Sequence, residues 1–340
     1  MPALLVLLAA AVVAGCGGGS STAGGPGAES IPMAGPPICN GSQSLCEKRL
    51  DQVVFPGTHN SYAASDQPGW HFATQHYGIE RQLDDGIRAL LLDVHYGVPA
   101  GNGLVRTDFA AEGADANKVT EAAPPGALAA AERIAGPLGA GMPSGKARLY
   151  LCHTLCELGA EPLAPELAKI HAFLEAEPGA VLILVMEDYV PAERIAAAFR
   201  EAGLTNFVAT LPRHGAQPTL AHLVLERERL VVFSEKGGGT PAWYMPAFDY
   251  IQDTPLGARR PDQLSCERAR GAPDSPLLLI NHWIPPWPPS PRLNALIGRR
   301  SFLRGRVRRC LSDRGFEGAI VAVDFYDTSS VVRVAEELNR

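Results

Sequence analysis

Eight short apolar runs recur along the chain, at residues 52–55, 87–93, 148–152, 181–187, 207–211, 230–234, 277–281 and 319–325. Runs of this length suit buried strands rather than helices. Several are separated by stretches with helical periodicity, at 165–176, 192–202, 219–226 and 330–339. Strands alternating with helices form βα units, and eight such units close a parallel α/β barrel of the TIM type, (β/α)8. The 207–211 run is the weakest of the eight. With 340 residues, 46% of them hydrophobic, the chain can fill the core of one such barrel, so a single folded domain is expected at 39–340.

The segment before it reads differently. Residues 1–15 are apolar and end in Val13-Ala14-Gly15, directly before Cys16. The stretch is too short to span a bilayer and resembles a signal peptide of the lipoprotein type, cleaved before a lipid-bearing Cys16. No Lys or Arg precedes the apolar core, so a plain secretory signal is the alternative. Residues 16–38, rich in Gly, Ser, Ala and Pro, read as a flexible tether.

Six cysteines remain beyond Cys16, and proximity pairs Cys39 with Cys46, Cys152 with Cys156, and Cys266 with Cys310. This is one of the many connectivities that six cysteines allow. A zinc site using Cys152, His153 and Cys156 is the weaker reading, because no second cluster stands at ligand spacing. Disulfides imply an oxidising compartment, so the protein is expected to be exported, anchored in the periplasm or at the cell surface, or secreted. The net charge of −6 and the absence of any Lys/Arg run exclude a nucleic-acid footprint.

A barrel of this kind places its chemistry where strands end. His59 follows the first run, Asp93 closes the second, His153 follows the third, and Glu187-Asp188 closes the fourth. Two imidazoles are suited to acid/base work near neutral pH. Asn60, Asp93 and Glu187 supply oxygen donors of the kind a hard cation such as Ca²⁺ takes. Any one of these residues has a bland alternative as a cap, a core contact or a surface charge, so the weight lies on the set. Two loops stand out. Residues 97–146 form a long insertion rich in Gly, Ala and Pro, with a short Ala-rich helix expected at 126–134, serving either as a lid over the site or as a tolerated insertion. Residues 281–289 carry Trp283 and Trp287 in a proline-stiffened loop, suited to a lipid interface or to packing in the rim.

Gly57-Thr58-His59-Asn60, then Gln82 through Asp93, then Leu151-Cys152-His153, then Glu187-Asp188-Tyr189-Val190 resemble, in order and spacing, the X-domain of phosphatidylinositol-specific phospholipase C. The likeness is greatest to its secreted or anchored PLC-like phosphodiesterase branch, and it covers about residues 45–340. The resemblance implies a TIM-type barrel and a phosphoric diester hydrolase acting on a phospholipid, with an inositol headgroup expected. His59 is then the general base, His153 the general acid, and Asp324 the carboxylate that orients His59. Arg88 and Lys236 are candidate substrate contacts. Asn60, Asp93 and Glu187 match the calcium-type arrangement, although Leu91 stands where that type has a further acidic ligand. His95, Asp188 or water is expected to complete a weakened site.

Two other classes stay open. A glycerophosphodiester phosphodiesterase or sphingomyelinase D would share the barrel and both histidines, but is expected to carry two acids on the second strand. A non-catalytic surface lipoprotein would keep the barrel to bind phospholipids or phosphosugars. The partners expected are thus a phospholipid or membrane surface and a small phosphodiester headgroup. The oligomeric state is not legible, and a monomer is the default.

Overall fold

The sheet is built from strands whose alternate residues face two different cores. A computed structural model of the chain describes residues 37–100, 103–115, 125–136 and 145–340. Eight parallel strands are β1 (Val54–Thr58), β2 (Ala89–Pro99), β6 (Leu182–Asp188), β7 (Leu230–Ser234), β8 (Tyr244–Pro246), β9 (Ile251–Asp253), β10 (Leu277–His282) and β11 (Ala319–Val323). They are hydrogen-bonded in the order β8-β7-β6-β2-β1-β11-β10-β9. Apart from the opening between β8 and β9, neighbours in the sheet follow chain order, as in a TIM-type (β/α)8 barrel. Among the described residues no ladder joins β8 to β9, so the curled sheet has a seam there.

Phe55, Leu91, Ile183, Val185, Phe233, Leu279, Ile320 and Ala322 fill the barrel interior. Their sequence neighbours Val54, Leu90, Leu92, Leu184, Val232, Ile280 and Val321 pack outward against the helices. The helices Leu163–Ala176, Ala192–Glu201, Arg300–Arg314 and Val331–Asn339 contribute Leu167, Ile170, Phe199, Leu303, Val307 and Val334 to that outer core. This is why the runs read as continuously apolar: a strand of a parallel sheet is buried on both faces.

Three strands lie off the barrel. β3 (Val105–Thr107) and β4 (Arg148–Leu151) both pair antiparallel with the long C-terminal extension of β2, Val94 opposite Leu151 and Gly97 opposite Thr107. β5 (Glu161–Pro162) pairs with β4. The run 148–152 is therefore not a third barrel strand, and 207–211 forms no strand of its own, meeting the sheet through a Val208–Leu230 bridge and a bond from the Leu211 amide to Met245 Sδ. The places of those two in the count are taken by β8 and β9, each three residues long and too short to register as a periodic run.

The disulfides are Cys39–Cys46, Cys152–Cys156 and Cys266–Cys310, the pairing expected from proximity and the chemistry of an oxidising, extracytoplasmic compartment. Among the described residues no helix is long and apolar enough to cross a membrane. The expected signal peptide, Cys16 and most of the tether lie outside the described residues. The elements above belong to one compact unit, Pro36–Arg340.

Candidate active site

Continuing the inward alternation past the last apolar residue of each strand places a polar group at the barrel mouth. Leu91 leads to Asp93, Val185 to Glu187, Phe233 to Glu235, Leu279 to Asn281, and Ala322 to Asp324. β1 enters this mouth through a close approach at Gly57, where a Cβ would lie 3.0 Å from that of Ala89. Gln75 then fixes its end, donating to the carbonyls of both His59 and Val323 at 2.8 and 3.1 Å.

His59 Nδ1 lies 2.8 Å from Asp324 Oδ1, and His153 Nδ1 lies 2.9 Å from Asp93 Oδ2. Each carboxylate accepts the Nδ1 proton and leaves Nε2 available for chemistry. The two rings are 6.3 Å apart between centroids and nearly perpendicular. Asn60 Nδ2 is 3.3 Å from His153 Nδ1, and Tyr62 donates to Asn60 Oδ1. Trp283 stacks flat on His59, with centroids 3.9 Å apart and planes 7° from parallel. The residues following His59, His153 and Asp324, namely Asn60, Thr154 and Phe325, all have positive φ (44°, 62° and 48°). For Thr and Phe this is a strained conformation. The strain turns the chain sharply away and leaves His59, His153 and Asp324 each at the end of its segment.

The electrostatics separate the groups. Burial alone would lower the pKa of His153, but the hydrogen bond and charge of Asp93, with Glu187 and Asp324 behind it, raise it above 6.5. The ring is 60% exposed within the mouth, and the carboxylates together outweigh the desolvation. Asp93 is pushed up by burial, yet its bond to His153 and the charges of His153, His59 and His95 hold it below the usual carboxylate value. Burial raises Asp324 against the opposing pull of His59.

The structure thus brings His59, Asn60, Asp93, His153 and Asp324 together, with Glu187 beside them: Asp93 and Glu187 are register partners on β2 and β6. Glu187 accepts from Tyr189 Oη at 2.5 Å and pairs with Lys236 Nζ at 3.3 Å, while that ammonium lies 4.0 Å from the centre of the Tyr189 ring. Arg88 is not part of the site. It stands just before β2, at the opposite end of the barrel, donating to the Leu83 and Ile87 carbonyls and packing over Phe173. His95 turns to Glu112 of the insertion (2.9 Å) and stacks on Tyr189. Asp188, of the opposite strand parity, is held by Ser234 and the Lys236 amide. Neither completes a metal site, and Leu91 is packed in the barrel core.

Among the described residues no three His, Cys, Asp or Glu side chains converge on a metal position. The expected ligands Asn60, Asp93 and Glu187 offer oxygen, the donor type that a hard cation takes. Trp283 is buried against His59 rather than offered to a lipid interface, and Trp287 packs on Phe72. Strand-end reading also overlooked Glu235, Asp253, Asn281 and Arg270. Arg270 pairs with both Glu235 (2.7 Å) and Asp253 (2.6 Å), and Asn281 donates to Asp253. Burial and the nearby carboxylates of Glu187 and Asp93 outweigh Arg270 and push Glu235 up to about 7. Inward parity after β7 and β10 would have found Glu235 and Asn281. β9 was too short to announce Asp253.

The chain is similar over 331 residues, at 22% identity, to PI-PLC X domain-containing protein 1 of Arthroderma benhamiae, which covers 91% of this chain and 92% of that protein. A PI-PLC X domain-containing protein of Arabidopsis thaliana is 32% identical over 96 residues, 25% of this chain and 22% of its own. Similar solved structures include the phosphatidylinositol-specific phospholipase C of Listeria monocytogenes, with a TM-score of 0.49 and 16% identity over 87% of this chain and 96% of that one. An F249X mutant of the Staphylococcus aureus enzyme has a TM-score of 0.45 and 12% identity over 85% of this chain and 93% of that one. The family model described as PI-PLC X 1 matches residues 141–339, more than half of the chain, and with the sequence motifs already noted at the barrel mouth this means that the chain belongs to the PI-PLC X domain family.

Proposed function

We propose that the protein is a phosphoric diester hydrolase of the phosphatidylinositol-specific phospholipase C type, acting on a phospholipid with a polyol headgroup, inositol first among them. The observation that carries this reading is the pair of imidazoles, each backed at Nδ1 by its own buried carboxylate, with 6.3 Å between ring centres. That separation lets one phosphodiester lie between two Nε2 atoms, one facing the attacking oxygen and the other the leaving oxygen.

His59, held by Asp324, accepts the proton of the headgroup hydroxyl beside the phosphate. The freed oxygen attacks phosphorus and forms a cyclic phosphate. His153, kept protonated by Asp93, donates its Nε2 proton to the departing alcohol oxygen. Water then opens the ring with the roles reversed, His153 as base and His59 as acid. Lys236 supplies positive charge toward the phosphoryl oxygens or the headgroup. Asp93, Glu187 and the Asn60 amide would hold a calcium ion, which when bound offsets charge developing on the phosphoryl group.

A glycerophosphodiesterase reading is less well supported, because Leu91 leaves only one acid on the inward face of β2 at this level. The test is a panel of inositol, choline, ethanolamine and glycerol phosphodiesters, assayed with calcium and with a chelator. A cyclic inositol phosphate, formed at a rate that chelation lowers and calcium restores, is the expected result. Release of a headgroup without any cyclic product would point to direct attack by water, and a rate indifferent to chelation would leave Lys236 as the working cation. No turnover of any diester would overturn the proposal.

A further inference from the structure

A cavity of about 490 Å³ opens beside the two histidines, with His59, Asn60, His153 and Asp324 on its floor. Its size is that of a small-molecule site. Above the floor it is mostly carbon, with Thr74, Thr154 and Tyr189 as its polar members. Phe72, Ala127, Leu155, Leu158 and Trp287 form the wall, and Asp93, Glu187 and Lys236 do not line it. The mouth is therefore divided, with charged groups on one flank of the histidines and hydrocarbon on the other.

The wall is built rather than incidental. The helix Pro125–Ala135 of the insertion buries Ala127, Ala130 and Ala131 against Phe109, Leu155 and Leu158, a small core of its own. Trp287 is clasped between the Phe72 ring, 4.3 Å between centroids, and Gly126, where a Cβ would fall 2.5 Å from the indole edge. Only glycine lets the tryptophan close against that helix. Thr74, one of the few polar groups on the wall, already gives its hydroxyl to the Asn60 carbonyl.

Position gives the slot its meaning. Leu155 lies within the same Cys152–Cys156 loop that carries His153, and Leu158 follows directly. The segment that supplies the acid also supplies the apolar wall, so the group protonated by His153 departs along hydrocarbon. We infer that this cavity seats the apolar chain of the leaving alcohol, and that the protein takes phosphodiesters of lipid-type alcohols with that chain held inside the protein rather than left in a bilayer. The inference rests on the phosphodiesterase reading above for the identity of the leaving side.

The experiment uses the full chain and two homologous series, from butyl to dodecyl, at concentrations where each compound is monomeric. n-Alkyl phosphates are titrated calorimetrically, and O-alkyl esters of inositol phosphate are assayed for turnover. Kd is expected to fall about fourfold per added methylene until the slot is full and then to stay constant, and kcat/KM of the esters should rise with the same dependence. Ala127→Phe should bring the plateau to shorter chains, and Leu155→Ala should move it to longer ones. Each is read as the dodecyl-to-butyl ratio within one protein, so a loss of folded material cancels. Should Ala127→Phe fail to fold, Leu155→Ala alone decides. A Kd independent of chain length in the unaltered protein overturns the slot, whether or not the esters turn over. A chain-length dependence of binding with no turnover of any ester keeps the slot and overturns the catalytic reading.

Discussion

At the residue scale the two histidines carry unequal burdens. His59 has a buried carboxylate at Nδ1 and an indole face across its ring, a setting that stabilises the imidazolium formed when it takes a proton. His153 is exposed, and its proton is retained by Asp93. Replacing either histidine by alanine is expected to lower kcat by roughly 10²–10⁴ with the fold retained, as judged by diester turnover and circular dichroism. In the proposed mechanism His153 acts as the protonated acid, so activity is expected to fall as pH rises through its pKa. Asp93→Asn removes the leading influence that raises that pKa, and the alkaline limb of the kcat profile should move to lower pH. A limb that stayed in place would show that Asp93 does not set it. By the same linkage, the raised pKa of His153 contributes stability that is full below 6.5 and lost as pH climbs through its folded value.

At the element scale the segment that carries His153 is not a barrel strand at all. β4 runs antiparallel to the extension of β2 and delivers His153 from the side, through a loop closed by Cys152–Cys156. The outer ladder of β4 is only the two-residue β5, weaker support than a barrel strand has, so the disulfide and the strained Thr154 add to the positioning. The double variant Cys152→Ser/Cys156→Ser is expected to lose at most about 2 kcal/mol of stability, since the closed loop is short. Its kcat should fall by roughly tenfold to a hundredfold, as for a modest misplacement of a reacting group. Kinetics and a denaturant titration on the same preparation separate the two effects.

At the scale of the whole molecule the weak line is the seam between β8 and β9, where backbone pairing is absent among the described residues. Arg270 spans it with side chains, joining Glu235 after β7 to Asp253 at the end of β9. Asp253 is fully buried, so removing its partner strands a charge. Arg270→Ala is expected to cost about 3 kcal/mol, measured by chemical denaturation. Arg270→Lys should recover only part of this, because one ammonium cannot reproduce the guanidinium fork. A variant as stable as the parent would show that the seam is held by packing alone.

Much of this molecule was legible in one dimension. Alternation with period two is a local property, so the inward parity of Asp93, Glu187 and Asp324, the six long barrel strands and the main helices could be read from residue order alone. So could the candidacy of His59 and His153, because a polar residue closing an apolar run has few places to go. What only the tertiary structure decided is which segments meet. A run of apolar residues does not name its partner, and so 148–152 read as a barrel strand until its antiparallel pairing to β2 was seen. Three-residue strands such as β8 and β9 bury too little to mark a period. Arg88 looked like a substrate contact because it sits in a motif, but its place at the start of β2 puts it a whole strand away from the mouth. The seating of Trp283 on His59, the packing of the insertion helix on Leu155 and Leu158, and the bond between His59 and Asp324, 265 residues apart, arise from chain closure, which joins residues with no local signal in common.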